Sequence, residues 1–123
     1  MSEIRATTIS DAAGTGPITL TKQSAAKAWG QVDQTVPTLK NSLNVSSLVD
    51  AATGSFDLVF ASAMATANYS QTSTALKAGV YYMFASMETP TTTECGTVTF
   101  PNSATTTLVD ANYACTTVHG DLA

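Results

Sequence analysis

The stretch SLNVSSLVDAATGSFDLVFASAM, residues 42–64, decides the fold class. Its apolar residues recur at every second position. Leu43 and Val45, with Ser47, share one face of a first strand, and Phe56, Leu58 and Phe60 share one face of a second, with Ser55 and Asp57 opposite. A period of two marks a half-buried strand and not a helix. Between the runs, DAATG (50–54) carries Asp50 and Gly54, which suit a loop of about five residues closing a hairpin.

The same pattern continues outward. ASAMATANYS (61–70) is a run of small residues suited to a corner. GVYYMFASM (79–87) is the densest apolar run, with Val80, Tyr82 and Phe84 alternating with Tyr81, Met83 and Ala85. Both faces are apolar, so this strand is expected to be buried on both sides or to lie at a chain–chain contact. CGTVTF (95–100) and YACTTVHG (113–120) are further strands, separated by the proline-containing turns ETPTTTE and PNSATTT. TANYS (66–70) and DANYA (110–114) echo one another, and both read as strand entries with an Asx-type turn ahead of a tyrosine. AAKAW (25–29) suits a short helical turn or, with Gly30, a strand end, and Pro37 argues against a central strand at 36–38. Six to eight short strands with polar turns, rich in threonine, predict an all-β, antiparallel β-sandwich-like domain over residues 25–123.

An extended N-terminal arm, residues 1–24, precedes it. TISDAAGTGPITLTKQS is polar and interrupted by Gly14, Gly16 and Pro17. Ile4, Ile9, Ile18 and Leu20 are too sparse to build a core, yet a free linker has no use for isoleucines, so the arm is expected to lie on another chain.

Composition bounds what the domain does. The 123 residues make one domain, of which only 11% are charged, with Thr, Ser and Asn filling the polar positions. Five basic residues in a net charge of −4 leave no footprint for nucleic acid. No run is long enough to cross a bilayer, and MSEIRATTIS lacks the apolar stretch of a signal peptide, so synthesis in a cytoplasm is expected, without membrane insertion. In that reducing compartment Cys95 and Cys115 are expected as free, half-buried thiols.

Catalytic and metal patterns are weak. There is no GxSxG, P-loop, HExxH or GxGxxG. The single histidine, His119, stands four residues from Cys115, too far along an extended strand to touch it. Asp50 and Asp57 flank the hairpin loop as a carboxylate pair of the kind a glycosidase uses, though solvated turn acids look the same. Asp50 and Asn44 could serve a calcium ion only with a denser acidic loop. Tyr81 and Tyr82 suit either core and subunit packing or a sugar- or protein-binding surface. No catalytic residue, metal or cofactor is expected.

From AAKAW through NSLNVSSLVDAATGSFDLVFASAMATANYS, the chain resembles a module of tailed-bacteriophage tail fibres. In that family an AKAW segment, an NVSS strand, a TG(D/S)(Y/F) turn, an apolar strand, an AM and an ANY follow in order. Here these are Ala26 to Trp29, Asn44 to Ser47, Thr53 to Phe56, Ala63-Met64 and Ala67 to Tyr69. The arm is also similar to the openings of many phage tail proteins, so the likeness covers residues 1–70. Where family members carry VNF and a Gly-rich turn after the tryptophan, this chain has Gly30-Gln31-Val32 and a proline-containing stretch.

The resemblance implies a structural virion protein, assembled in the host bacterial cytoplasm. It implies a homotrimeric tail-fibre subunit whose arm docks on other phage tail proteins through Ile4, Arg5, Ile9, Ile18 and Leu20. The β-rich head would touch a host cell-surface receptor, such as a polysaccharide. Fibres of this kind are trimers, which would place Tyr81 or Met83 on the subunit interface. Two other classes fit the same sequence: a capsid decoration protein, also a small trimeric β domain with an arm, and a polysaccharide depolymerase, which would need a carboxylate pair in a groove.

Overall fold

A computed structural model describes residues 25–79, 83–101 and 107–123. The described residues form eight strands and no helix: β1 (Ala28–Asp33), β2 (Thr38–Leu43), β3 (Val45–Ala52), β4 (Ser55–Phe60), β5 (Ser70–Leu76), β6 (Met83–Met87), β7 (Glu94–Pro101) and β8 (Tyr113–His119). They make two four-stranded sheets, ordered β2-β1-β8-β5 and β3-β4-β7-β6, with every pairing antiparallel. The expected all-β sandwich is therefore present.

The central hairpin is β3–β4, and the inward face of β4 is the expected one, whereas on β3 a bulge between Val45 and Ser47 turns Val45 and Leu48 inward and leaves Ser47 exposed. Phe56 and Leu58 are 1% exposed and Phe60 is 6% exposed. The first strand runs further than the alternation suggests. Leu43 belongs to β2, β3 extends to Ala52, and the turn shrinks to Thr53-Gly54, with Gly54 at φ 68°. Ala51 and Ala52 extend the ladder because nothing in them opposes an extended backbone. A bulge between Asp50 and Ala52 absorbs the register.

Between β2 and β3 the chain changes sheet at one residue, Asn44, whose φ is 53°. Asparagine tolerates this left-handed region better than other non-glycine residues. Its side chain then clamps the 61–62 turn: Nδ2 donates to the Ser62 carbonyl at 3.0 Å, and Oδ1 accepts from the Ser62 amide at 2.7 Å. Its own carbonyl accepts from the Ala61 amide at 3.1 Å. Just beyond, Met64 is buried and bridges to Leu122. The run of small residues after β4 is thus the expected corner, and Asn44 is its anchor.

The proline stretch does not disturb the first pairing. Gln34 to Pro37 form the turn, and β2 starts at Thr38 on the sheet edge, where a preceding proline costs no ladder bond. Asp33 shapes this turn by accepting from the Thr35 amide at 3.1 Å and hydroxyl at 2.6 Å. Trp29-Gly30, read as helical turn or strand end, lies inside β1. A Cβ on Gly30 would stand 2.7 Å from Leu58 Cδ1, so the glycine makes room for the facing sheet.

Under β1, β3 and β4 the core is apolar: Val32, Phe56, Leu58 and Phe60, with Leu39, Val45 and Leu48 packed on them. Towards β5, β7 and β8 it turns polar. Thr97 and Thr116 meet hydroxyl to hydroxyl at 2.9 Å between the two sheets, and Ser73 bonds Thr116 at 3.0 Å. Gln71 Nε2 donates to the Gly96 carbonyl at 3.0 Å and to Thr97 Oγ1 at 2.9 Å. Both cysteines are free, but they are not the half-buried pair expected: Cys95 is buried on β7 and Cys115 exposed on β8, in different sheets. Of the two tyrosine-led entries, Tyr69 is buried and donates to the Glu94 carbonyl at 2.8 Å, while Tyr113 is 52% exposed. Neither follows the expected Asx turn. Asn68 is held by the Thr66 hydroxyl, and Asp110 accepts from the Gly54 amide at 2.6 Å.

Phe56→Ala and Phe60→Ala are each expected to cost about 3–5 kcal/mol, and Asp57→Ala on the opposite face under about 0.5 kcal/mol. Asn44→Ala is expected to cost about 2 kcal/mol, from left-handed strain and two lost hydrogen bonds. Denaturant unfolding checks both. Equal midpoints for Phe56→Ala and Asp57→Ala would contradict the register, and an unchanged Asn44→Ala would contradict the anchor.

Candidate functional site

Alternation along each strand assigns every side chain to the core or to one of two outer faces, and these faces and the sheet edges are what the domain presents. Ile4, Arg5, Ile9, Ile18, Leu20 and Tyr81 lie outside the described residues. Met83 lies on β6, an edge strand of its sheet, paired with Pro101. It is half-buried and packs against the core of its own chain. Its neighbour Phe84 points the other way, 53% exposed, and stacks on Phe100 with ring centroids 5.7 Å apart. Within the single chain, the described part of this strand is thus buried on one face only. The outward aromatic on β6 is Phe84, which alternation had already set apart from Met83.

The outer face of the sheet β3-β4-β7-β6 is acidic. Asp57 pairs with Gly96, and Glu88 closes on the other side, its amide donating to the Gly96 carbonyl at 3.1 Å. A Cβ at position 96 would stand 2.8 Å from Asp57 Oδ1 and 2.9 Å from Glu88 Cβ, so glycine is what lets the two acids approach. Glu94 lies on the same face, paired with Val59. Ser55 donates its hydroxyl to Glu88 Oε2 at 2.9 Å. Burial pushes the Asp57 carboxyl up from its ordinary 3.8, and the negative charges of Glu94 and Glu88 push it further. Glu88 and Glu94 bracket the β6–β7 turn, a spacing that could have signalled the gathering, but only the register adds Asp57. Among the described residues no His, Cys, Asp or Glu grouping is arranged to hold a metal ion.

The catalytic combinations suggested by the sequence come apart. Asp57 pairs with Val49 and Asp50 with Phe56, so the two acids point to opposite faces of the hairpin. Asn44 is committed to Ser62, away from any role with Asp50. Cys115 and His119 stand four residues apart on β8, about 13 Å along the strand. Burial pushes the Cys95 thiol up to about 12, with the negative charge of Asp57 adding to it, so this sulfur stays protonated and inert. Tyr69 is likewise pushed up to about 12 by burial.

The Asp57 shift has a consequence for stability. A carboxyl whose folded-state pKa is raised holds its proton more tightly in the folded chain. Its contribution is fully present below the ordinary carboxylate range and is lost as pH rises through the folded-state value. Asp57→Asn should therefore lessen the fall in stability as pH rises from the ordinary carboxylate value of 3.8 towards neutral, and leave the variant more stable than the parent at neutral pH. Denaturation midpoints across that range check this, and parallel curves for the two proteins would refute it.

Compared with known protein families, with curated proteins and with solved structures, the chain gives no match.

Proposed function

We propose that this chain is a structural protein of a bacteriophage tail, a fibre subunit that docks through residues 1–24 and presents its β-sandwich to the host surface. The observation that carries this reading is where the motif residues sit. Trp29 stands in the strand that enters the sandwich, and Asn44 turns the chain from one sheet to the other. Gly54 makes the central turn, Met64 pins the corner after β4, and Tyr69 is buried with its hydroxyl bonded to Glu94. The elements shared with tail-fibre modules are the construction points of this fold, which supports a common architecture. Gly54, Met64 and Tyr69 are buried and Trp29 lies on an outer sheet face, so receptor choice falls to the surface residues between them.

The surface suits an assembled protein. Leu43, Val49, Leu76, Phe84, Met87 and Tyr113 are each more than two-fifths exposed. A chain this poor in charge gains by covering such residues with partners. In this reading the sandwich assembles with copies of itself, as the three-fold of the resemblance implies, and residues 1–24 join the assembly to the tail.

Labelled-antibody imaging of intact particles is the test: signal on the tail is expected, and signal on the capsid would make the chain a decoration protein. Every core residue among the described ones lies at Ala28 or later. Deleting residues 1–24 should therefore leave cooperative unfolding intact while abolishing incorporation into particles. Full occupancy by the truncated protein would remove the docking role.

A further inference from the structure

The two outer faces differ in what they could accept. On the sheet β3-β4-β7-β6, Asp57, Glu88 and Glu94 crowd together, so a second copy of the same face would meet like charge with like. The outer face of the sheet β2-β1-β8-β5 has an uncharged centre. Its middle row, read across the ladders, is Asn41, Gln31, Cys115 and Thr74. At its margin the Asp33 carboxylate is balanced by Lys40 at 3.6 Å.

The apolar residues on this face have a definite arrangement. Trp29 pairs with Leu43 at one end of β1 and β2. Leu76 pairs with Tyr113 at the other end, on β5 and β8. Leu43, Leu76 and Tyr113 are 48%, 53% and 52% exposed. The two apolar pairs thus occupy diagonally opposite corners. A two-fold axis in the plane of the face, along either diagonal, brings apolar corner onto apolar corner and crosses the two uncharged rows at their centre, with the strands of the two copies nearly perpendicular. Such self-complementarity is what an isologous contact requires.

We propose that this face is where two copies of the chain meet, packed sheet on sheet about a two-fold axis. The proposal rests on the self-assembly in the reading above, but not on the place of the protein in the particle. Four strands about 4.8 Å apart and some six residues long span roughly 20 Å by 20 Å. With the relief of the side chains, a pair buries on the order of 1,000 Å² in total, the lower bound for a specific interface. The contact is thus reversible, and its occupancy follows protein concentration. Where a three-fold contact exists as well, the two-fold joins two rings into six copies.

Cys115, exposed at the middle of the face, reports on it without any substitution. The full-length protein is examined by light scattering from about 1 to 100 µM. At each concentration it is treated with N-ethylmaleimide, and labelling of Cys115 is read by peptide mass. Expected are an even number of copies at high concentration, and Cys115 alkylation at least about tenfold slower there than in dilute protein. Thr74→Glu, an exposed substitution beside Cys115, should dissociate the pair and restore fast labelling. Phe84→Glu on the other sheet should leave the pair intact.

An associated protein with freely reactive Cys115 would overturn the proposal while leaving self-assembly in place. So would three copies, dissociation by Phe84→Glu but not by Thr74→Glu, or a protein monomeric throughout. A monomer with protected Cys115 would mean that residues 1–24 of the same chain cover the face. The tail reading is judged separately, by position in the particle.

Discussion

The whole arrangement depends on the chain crossing from one sheet to the other within a single residue. β2 ends at Leu43 and β3 begins at Val45, so Asn44 alone must redirect the backbone. A left-handed conformation does this, and it costs most side chains about 1–2 kcal/mol. Asparagine reduces that cost, and its amide adds two hydrogen bonds to the turn after β4. The same residue therefore starts the second sheet and ties down the far end of its first hairpin. Were the crossing spread over a loop, β2 and β3 could slide relative to one another, and Leu39 and Leu48 would lose their common core.

The interior is built on two principles at once. One half follows the hydrophobic effect, with Phe56, Leu58 and Val32 removed from water. The other half is held by hydroxyls and amides: Thr97 and Thr116 between the sheets, Gln71 beside them, and Thr99 with Gln34 at the end of the sandwich. Gln34 Oε1 also accepts from the Ala111 amide, which fixes the orientation of that side chain. A threonine-rich sequence can thus fill a core without large side chains, because a buried hydroxyl with a partner costs little and one without a partner costs much. Such a network tolerates neither a shift in register nor a swapped partner, and so specifies one alignment of the sheets.

How much of this was legible depended on what each residue answers to. Phe56, Leu58 and Phe60 answer to local alternation, and their burial follows from it. Gly30 answers to a side chain on the other sheet, Leu58, so its role was hidden in the sequence and it resembled a strand end. Asp50 and Asp57 looked like a pair because they are near in sequence, yet an odd separation across the hairpin sends them to opposite faces. Asp57 instead joins Glu88 and Glu94, more than thirty positions on, through the β4–β7 register. Asp110 seemed to serve its own turn and serves Gly54 on another hairpin. What escaped the sequence was in each case set by pairing between distant strands.

The entry of the chain into the sandwich has a mechanical side. β1 lies between β2 and β8, so traction applied through residue 25 along the strand axis is resisted by both flanking ladders at once, in shear. Just before β1, the Lys27 amide is already tied to the Val118 carbonyl at 2.8 Å. The C-terminal residues return to that same end, where the Ala123 amide reaches the Ala63 carbonyl at 3.0 Å. A load between the two chain ends would therefore peel β1 from β8 one bond at a time. A load between the entry and the opposite tip, at the Gln34–Pro37 turn, would instead run along the backbone of β1, which is already extended and yields no length. The domain is thus weakest across the end where β1 begins and β8 finishes, and stiffest along β1 itself.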